Sequence, residues 1–517
     1  MASLPVREPY TDAELRRLYP AQLELQLVQV LMRHGERTPV TARFQNTGLH
    51  GFWPYCRSVR QLRSAILDPQ AGDYTSLEWR RRLETFGPGD VPVVASGPRG
   101  ELDDVCDMGA LTDLGRQTTF DLGRRMRKLY VDQLGFLPDT ITSSESLYLR
   151  STPVPRALES MQQAFTGLYP PATRVAGFLP PTILTRSPQD ETLFPNESNC
   201  RRFAILSRAF AQRTAERWND SPEMDYLNKK LGKWMPQDSP RVAVDSHPRL
   251  SGIMDSMNAS RAHGPETRLP AEFYDPKTVG IIERIAVEEW YGGYRESNEY
   301  RTLGIGGLLG DVVARMVGSA EQTPADGNYE LQQTPRADAK DDRVPVRFGL
   351  SGCHDTTLAA VLSSLGAFGK DQWPPFTSYI AVEMFRAKDL PAPVAAESPA
   401  SVPTAQPSWS GWFSSFFSSA TPGTPPPGIG RKPTPALTPS EKEKLDGFYV
   451  RLRYNDSPIT IPGCKTPGNH LEGDESFCTL AAFKSVVDKF TPTDWKTQCH
   501  SNQGAPPFPA KPEPAGF

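Results

Sequence analysis

One stretch constrains this chain more than any other. An apolar run, LELQLVQVLM (residues 23–32), ends abruptly in RHGERTP (residues 33–39). The run is rich in strand-forming apolar residues and reads as a buried β-strand. Arg33, His34 and Arg37 then stand where that strand should leave its sheet. In α/β sheets, ligands sit beyond the carboxyl ends of strands. Two guanidiniums at such a place, always charged and fork-shaped, suit a tetrahedral oxyanion. A neutral imidazole between them can act as a nucleophile, and the flanking cations favour its neutral form. Gly35 allows close backbone approach. Taken alone, RHG is also what a basic surface turn contains.

It is not alone. LYLRSTPVPRALES places Arg150 and Arg156 after a second predicted strand, and FGLSGCHDTTLAA places His354 and Asp355 after a third. That His-Asp pair is the one such pair in a chain with seven histidines. Charged groups at three separate strand ends are what a phosphate pocket assembled from different loops requires. Helical spacing recurs in LTDLGRQTTFDLGRRMRKLY, through Leu114, Thr118, Leu122, Met126 and Leu129, with a basic run from Arg124 to Lys128 read as a solvated face. PRALESMQQAFTGLY and TTLAAVLSSLG also read as helices. YIAVEMFRA and GFYVRLRY alternate like neighbouring antiparallel strands. The expected fold is α/β, a mixed central sheet flanked by helices, with a mainly helical cap. Residues 21–175 should form the first part of the core, 176–340 the cap and 341–500 the second part of the core.

A length of 517 residues suits two units or one large unit with a lid. The net charge of −3 gives no global basic field and speaks against nucleic-acid binding. MASLPVREPYTDAELRRLYP has no apolar h-region and carries Glu8, Asp12 and Glu14, so neither a secretory signal nor a transit peptide is expected. Thr11 to Glu14 reads as a capping box opening a short helix. No apolar run of membrane-spanning length stands out. Residues 389–440, dominated by Pro, Ser, Ala and Thr, read as a low-complexity, disordered insertion between two strands. Within it, Trp409, Trp412, Phe413, Phe416 and Phe417 follow one helical face opposite serines. That is the pattern of a membrane-inserting amphipathic helix; packing on the protein's own surface or on a partner chain explains it equally well. The glycine-rich GIGGLLGDVVARM lacks the Lys-Ser/Thr of a nucleotide loop and reads as close helix packing.

The set RHGxRxP, RST…R and HD, in this order, resembles the histidine acid phosphatases, the second branch of the histidine phosphatase superfamily. The flanks QVLMRHGERTP, RSTPVPRALES, LFPNESNC and QWPPFTSYIAVEMF look most like the lysophosphatidic acid phosphatase subgroup. The resemblance implies hydrolysis of phosphomonoesters through a covalent phosphohistidine, with no metal and no cofactor. It casts His34 as nucleophile, Asp355 as the acid that protonates the leaving alkoxide, and Arg33, Arg37, Arg156 and His354 as phosphate ligands. It further implies a Cys464–Cys478 bridge and a Cys200–Cys499 bridge, and leaves Cys56, Cys106 and Cys353 without partners. Pro153 and Pro155 depart from the commoner family pattern.

The favoured substrate is lysophosphatidic acid or a similar lysophospholipid, with peripheral membrane contact through residues 408–420. The alternatives are a phytase-like or broad-specificity acid phosphatase and, from another class, a non-catalytic membrane or partner-binding module. Bridges belong to oxidising compartments, whereas the N-terminus points to a cytoplasmic or organellar location, so the compartment stays open. Glu36 is expected to face away from the phosphate. His247 and His263 are read as structural or rim residues.

Overall fold

A computed structural model describes residue 3 and residues 7–322, 345–369, 372–389 and 428–517. The five aromatic residues from Trp409 to Phe417 lie outside the described residues, as does most of the expected insertion. Its last part, residues 428–440, is anchored: Ile429 is buried, and Lys484 donates to the carbonyls of Gly430 (3.2 Å) and Lys432 (2.7 Å). Composition placed the boundary at residue 440, but these backbone contacts end the insertion earlier.

The chain opens with α1 (Asp12–Leu18), started by the expected Thr11–Glu14 capping box, and enters β1 (Leu23–Arg33). Two hairpins follow, β2 (Leu62–Asp68) with β3 (Asp73–Trp79) and β4 (Glu84–Phe86) with β5 (Pro92–Val94). Next come α2 (Asp113–Arg127), β6 (Leu147–Ser151), α3 (Pro155–Leu168) and β7 (Ile183–Leu184). A helical stretch then runs through α4 (Arg201–Trp218), α5 (Pro222–Leu231), α6 (Leu250–Ala262), α7 (Pro276–Glu296), α8 (Asn298–Arg301) and α9 (Gly307–Glu321). The chain returns through β8 (Phe348–Cys353), α10 (Asp355–Ser364) and β9 (Tyr379–Ala387). Beyond the insertion come α11 (Pro439–Glu443), β10 (Phe448–Tyr454), β11 (Ser457–Ile459), β12 (His470–Leu471), β13 (Asp474–Thr479), α12 (Leu480–Asp488) and α13 (Trp495–His500).

The main sheet runs β12-β13-β10-β9-β1-β8-β6-β7, with β11 on β10. β1, β8, β6 and β7 are parallel, whereas β9 and β10 are antiparallel neighbours, as their alternation suggested. β1 is buried on both faces. Leu27 and Leu31 face the larger helical layer, and Val28, Val30 and Met32 face α2 and α3. Each buried side chain of this kind contributes about 1.5–3 kcal/mol. A one-residue slip would exchange the two sets and turn every side chain to the wrong face, so burial also fixes which way His34 leaves the strand.

The expected cap segment has two roles. α4 to α7 form the helical layer over the strand ends, whereas α9 lies against β1, where Gln29 donates to the Val312 carbonyl (3.0 Å) and accepts from Arg315 (2.8 Å). The run Asn298–Glu321 is long and apolar enough to cross a membrane, contrary to the expectation of no such run, but most of it is buried in the protein's own core. Its glycines serve packing: a Cβ on Gly306 would come within 2.0 Å of the Phe490 carbonyl oxygen.

Candidate active site

Sheet register brings three charged strand ends together. β1 pairs Arg33 with Cys353, and β6 pairs Ser151 with Gly352. The residues that follow, His34, His354 and Thr152, therefore meet at one end of the sheet. His34 N donates to the Cys353 carbonyl (3.1 Å) and Thr152 N to that of Gly352 (3.1 Å). The rings of His34 and His354 lie 5.5 Å apart edge to face, and His354 Nε2 sits 3.1 Å from Thr152 Oγ1. Pro155 occupies the first turn of α3, where its fixed φ and missing N–H suit a helix start. Pro155 thus begins the helix that presents Arg156. Asp355 opens α10, where a carboxylate also complements the helix dipole.

His34 is 1% exposed. Its Nδ1 lies 2.9 Å from the Gly35 carbonyl oxygen, which can only accept. Nδ1 therefore carries the proton and Nε2 keeps its lone pair. Burial, and then the charges of Arg156, Arg33 and Arg37, hold the imidazole pKa far below its ordinary value. Gly35 is required by contact: a Cβ there would sit 2.3 Å from the Gly115 carbonyl oxygen, while its N–H donates to Ser160 Oγ (3.0 Å). The motif is pinned between α2 and α3.

The cations surround this nitrogen base, and Arg33 and Arg37 are steadied by other groups. Arg33 pairs with Asp355 (2.7 Å), donates to the Pro374 carbonyl and stacks over Phe376 (4.1 Å). Arg37 pairs with Asp255 (2.7 Å), which also accepts from Val40 N (3.0 Å) and Arg43 (3.2 Å). Arg156 forms no ion pair among the described residues; burial and Arg37 lower it to about 10, so it stays charged in acid. The Nε groups of Arg33, Arg37 and Arg156 are buried without partners. Unsatisfied donors of this kind are worth about 1–3 kcal/mol each, and an oxyanion supplies the acceptors that they lack. Burial raises the Asp355 pKa, but Arg33 and the Trp373 indole N–H (2.9 Å) outweigh it and hold the carboxyl at about 2. His354 is depressed to about 3, chiefly by burial and then by Arg156.

These depressed histidines carry a stability consequence. Between the ordinary histidine pKa of about 6.5 and the folded value near 3 for His354, the unfolded chain binds a proton that the folded chain does not. Stability from His354 is complete above that window and is lost as pH falls through it. Other groups act oppositely, Glu289 among them, because its pKa is raised by burial to about 7. The comparison to make is therefore between variants. Urea unfolding from pH 7 to 4.5 should show a shallower loss of stability in His354→Gln than in the native chain, by roughly 1 kcal/mol per pH unit. Parallel curves would contradict the assignment.

Not every residue singled out in the sequence joins the site. Arg150 lies within β6, turned to Glu191 (2.6 Å) and to Asp311 (3.7 Å), which it shares with Arg186. Glu36 is fully buried, with Oε2 accepting from Thr118 on α2. His263 stacks on Tyr55 and holds Thr112 Oγ1 (2.9 Å), bracing a loop. His247 does line the active-site cavity. Cys200–Cys499 and Cys464–Cys478 are bonded, with S–S distances of 2.07 and 1.99 Å. Cys56 and Cys106, left without partners in the sequence reading, form a third bridge. The β2–β5 hairpins carry the chain out and back, so Cys56 N meets the Asp104 carbonyl and Cys106 N that of Trp53 (2.9 Å each). Cys353 is free and buried, with its pKa raised by burial to about 12.

Other site residues carried little or no sequence signal. Asp255 sits on α6 without a charged neighbourhood in the chain. QWPPF was visible only as a flank; its role is now physical, since Trp373 holds Asp355, the Pro374 carbonyl holds Arg33 and Phe376 lies beneath that guanidinium. Arg33, Arg37, Asp255, Asp355, Trp373 and Phe376 open on a cavity of about 530 Å³, walled also by Val40, Met254 and Trp290.

The family model of the histidine phosphatase superfamily (branch 2) matches residues 24–398. A probable acid phosphatase of Schizosaccharomyces pombe is 34% identical over 481 residues, covering 93% of this chain and 95% of its own. Lysophosphatidic acid phosphatase type 6 of Homo sapiens is 26% identical over 369 residues, 70% of this chain and 74% of its own. Among solved structures, Hafnia alvei phytase in complex with tartrate is similar in fold, with a TM-score of 0.50 and 12% identity over 93% of this chain and 99% of that one.

Proposed function

Because this chain belongs to branch 2 of the histidine phosphatase superfamily and is a histidine acid phosphatase, we propose that it hydrolyses lysophosphatidic acid or a similar lysophospholipid through a phosphohistidine on His34. The observation that carries the mechanism is the His34 ring, neutral, protonated on Nδ1 and ringed by Arg33, Arg37 and Arg156. Nε2 attacks phosphorus in line while the guanidiniums neutralise the equatorial oxygens and the neutral His354 ring hydrogen-bonds to one of them. Asp355 passes a proton to the leaving alkoxide oxygen as the P–O bond breaks. The resulting carboxylate then draws a proton from the water that attacks the phosphohistidine, which restores both groups.

The lipid reading rests on the cavity and on the resemblance of the flanks. Trp290, Trp373, Phe376, Met254 and Val40 give it an apolar wall, and its volume is ordinary for a small-molecule site. The outer cations have carboxylates beside them, Arg43 sharing Asp255 with Arg37 and Arg249 facing Glu289. A substrate of this class would bring the enzyme to a membrane surface, with Trp409, Trp412, Phe413, Phe416 and Phe417 as the contact. Parallel turnover of lysophosphatidic acid, phytate and p-nitrophenyl phosphate tests the substrate. The lipid should exceed phytate in kcat/KM by at least about tenfold; comparable rates on all three would reject the lipid preference and leave a broad-specificity acid phosphatase.

A further inference from the structure

A smaller cavity of about 130 Å³ adjoins the active-site cavity and shares Arg249, Trp290 and Thr356 with it. Its walls are largely aromatic: Phe203, Trp290, Tyr291, Tyr294 and Tyr300. Three polar atoms there have no hydrogen-bond partner among the described residues: Tyr291 Oη, Tyr294 Oη and Glu289 Oε2. Their side chains are almost completely buried; Tyr291 and Tyr294 are each 1% exposed and Glu289 4%. Buried groups of this kind are normally satisfied. Three orphans lining one small space therefore point to a ligand, not to packing alone.

Place and charge narrow the ligand. Asp355, the residue assigned to the leaving oxygen, lines the active-site cavity together with Thr356 and Trp290 of the shared rim, so the group bonded to that oxygen can reach the side cavity. The ionisable groups on the wall balance, Glu197 and Glu289 against Arg208 and Arg249, so the cavity favours neither anion nor cation. Aromatic faces combined with unpaired hydroxyls suit a compact alcohol, whose C–H groups lie on rings and whose hydroxyls take up the orphan donors and acceptors. An inositol bearing several phosphates is too bulky and too charged for the space.

We propose that this side cavity is the subsite for the hydroxyl-bearing part of the leaving group, a glycerol-type polyol attached directly to the phosphoryl group. The proposal rests on the phosphatase reading above and adds the group that the enzyme selects beside the phosphate. Burial raises the Glu289 carboxyl to about 7 against the pull of Arg249, so the charge balance of the wall is fullest at and above neutral pH.

The test compares glycerol 3-phosphate with n-propyl phosphate, which has the same carbon chain and no hydroxyls. The native enzyme should favour glycerol 3-phosphate in kcat/KM by about tenfold or more, since a site built for hydroxyls leaves its polar groups unpaired with the deoxy analogue. Tyr294→Phe and Glu289→Gln should each bring that ratio down towards one. A native ratio near one would overturn the proposal even if neither variant folds, and so would an unchanged ratio in both variants. Either result with p-nitrophenyl phosphate still hydrolysed leaves the phosphatase reading intact. No turnover of any phosphomonoester would instead remove that reading, and the subsite with it.

Discussion

Replacing His34 with alanine should lower kcat/KM for any phosphomonoester by at least about a thousandfold, while circular dichroism and the unfolding midpoint stay close to those of the native protein. The loss is expected to be this large because, in the proposed mechanism, the ring accepts the phosphoryl group, whereas the arginines around it only stabilise charge. Near neutral pH stability should change little, because the imidazole is neutral in the folded chain. Its side-chain hydrogen bond is a local one to Gly35. A variant retaining a tenth or more of native activity would remove His34 from the chemistry.

Asp355→Asn should have the next largest effect, and the effect should depend on the leaving group. In the free enzyme, Arg33 and Trp373 hold Asp355 ionised at about 2, in no state to donate a proton. A phosphate dianion that takes over Arg33 removes the neighbouring cation from the carboxyl and sets a negative charge beside it. Both changes raise its pKa. In the proposed mechanism, substrate binding thus creates the acid that the reaction needs. For an alkyl phosphate, whose alkoxide leaves poorly, the amide should reduce kcat by about 10²–10⁴-fold. For p-nitrophenyl phosphate, whose leaving group needs no proton, the loss should be far smaller. Phosphate, as an inhibitor, should bind the variant at least as tightly, since Arg33 is released from its ion pair. Equal losses on both substrates would mean that Asp355 positions Arg33 and does not donate.

The pattern of what could be read in the chain has a physical basis. β1, β6 and β8 were legible because apolar runs ending in charge mark where a buried strand leaves its sheet. Parallel register did the rest, bringing His34, Arg156 and His354–Asp355 together from three places in the chain. The β2–β5 hairpins gave no such signal because both their faces are largely exposed, with Leu67, Tyr74 and Phe86 outward, and the contrast between inside and outside is missing. Asp255 was illegible for another reason: its partners, Arg37 and Arg43, reach it from more than two hundred residues away in the chain. The Cys56–Cys106 bridge likewise depends on where the hairpins return, which spacing alone does not express. Glu36, expected to face away from the phosphate, accepts from Thr118 of α2 through Oε2.

The central claim is that the phosphoryl group rests on His34 between the two steps. Mixing the enzyme with phosphorus-labelled substrate, quenching in alkaline denaturant within milliseconds and mapping peptides tests it most directly. The label should be acid-labile, stable in base, confined to the peptide containing His34 and absent from His34→Ala. A native enzyme that turns over substrate with no such label, or with the label on another residue, would contradict the account.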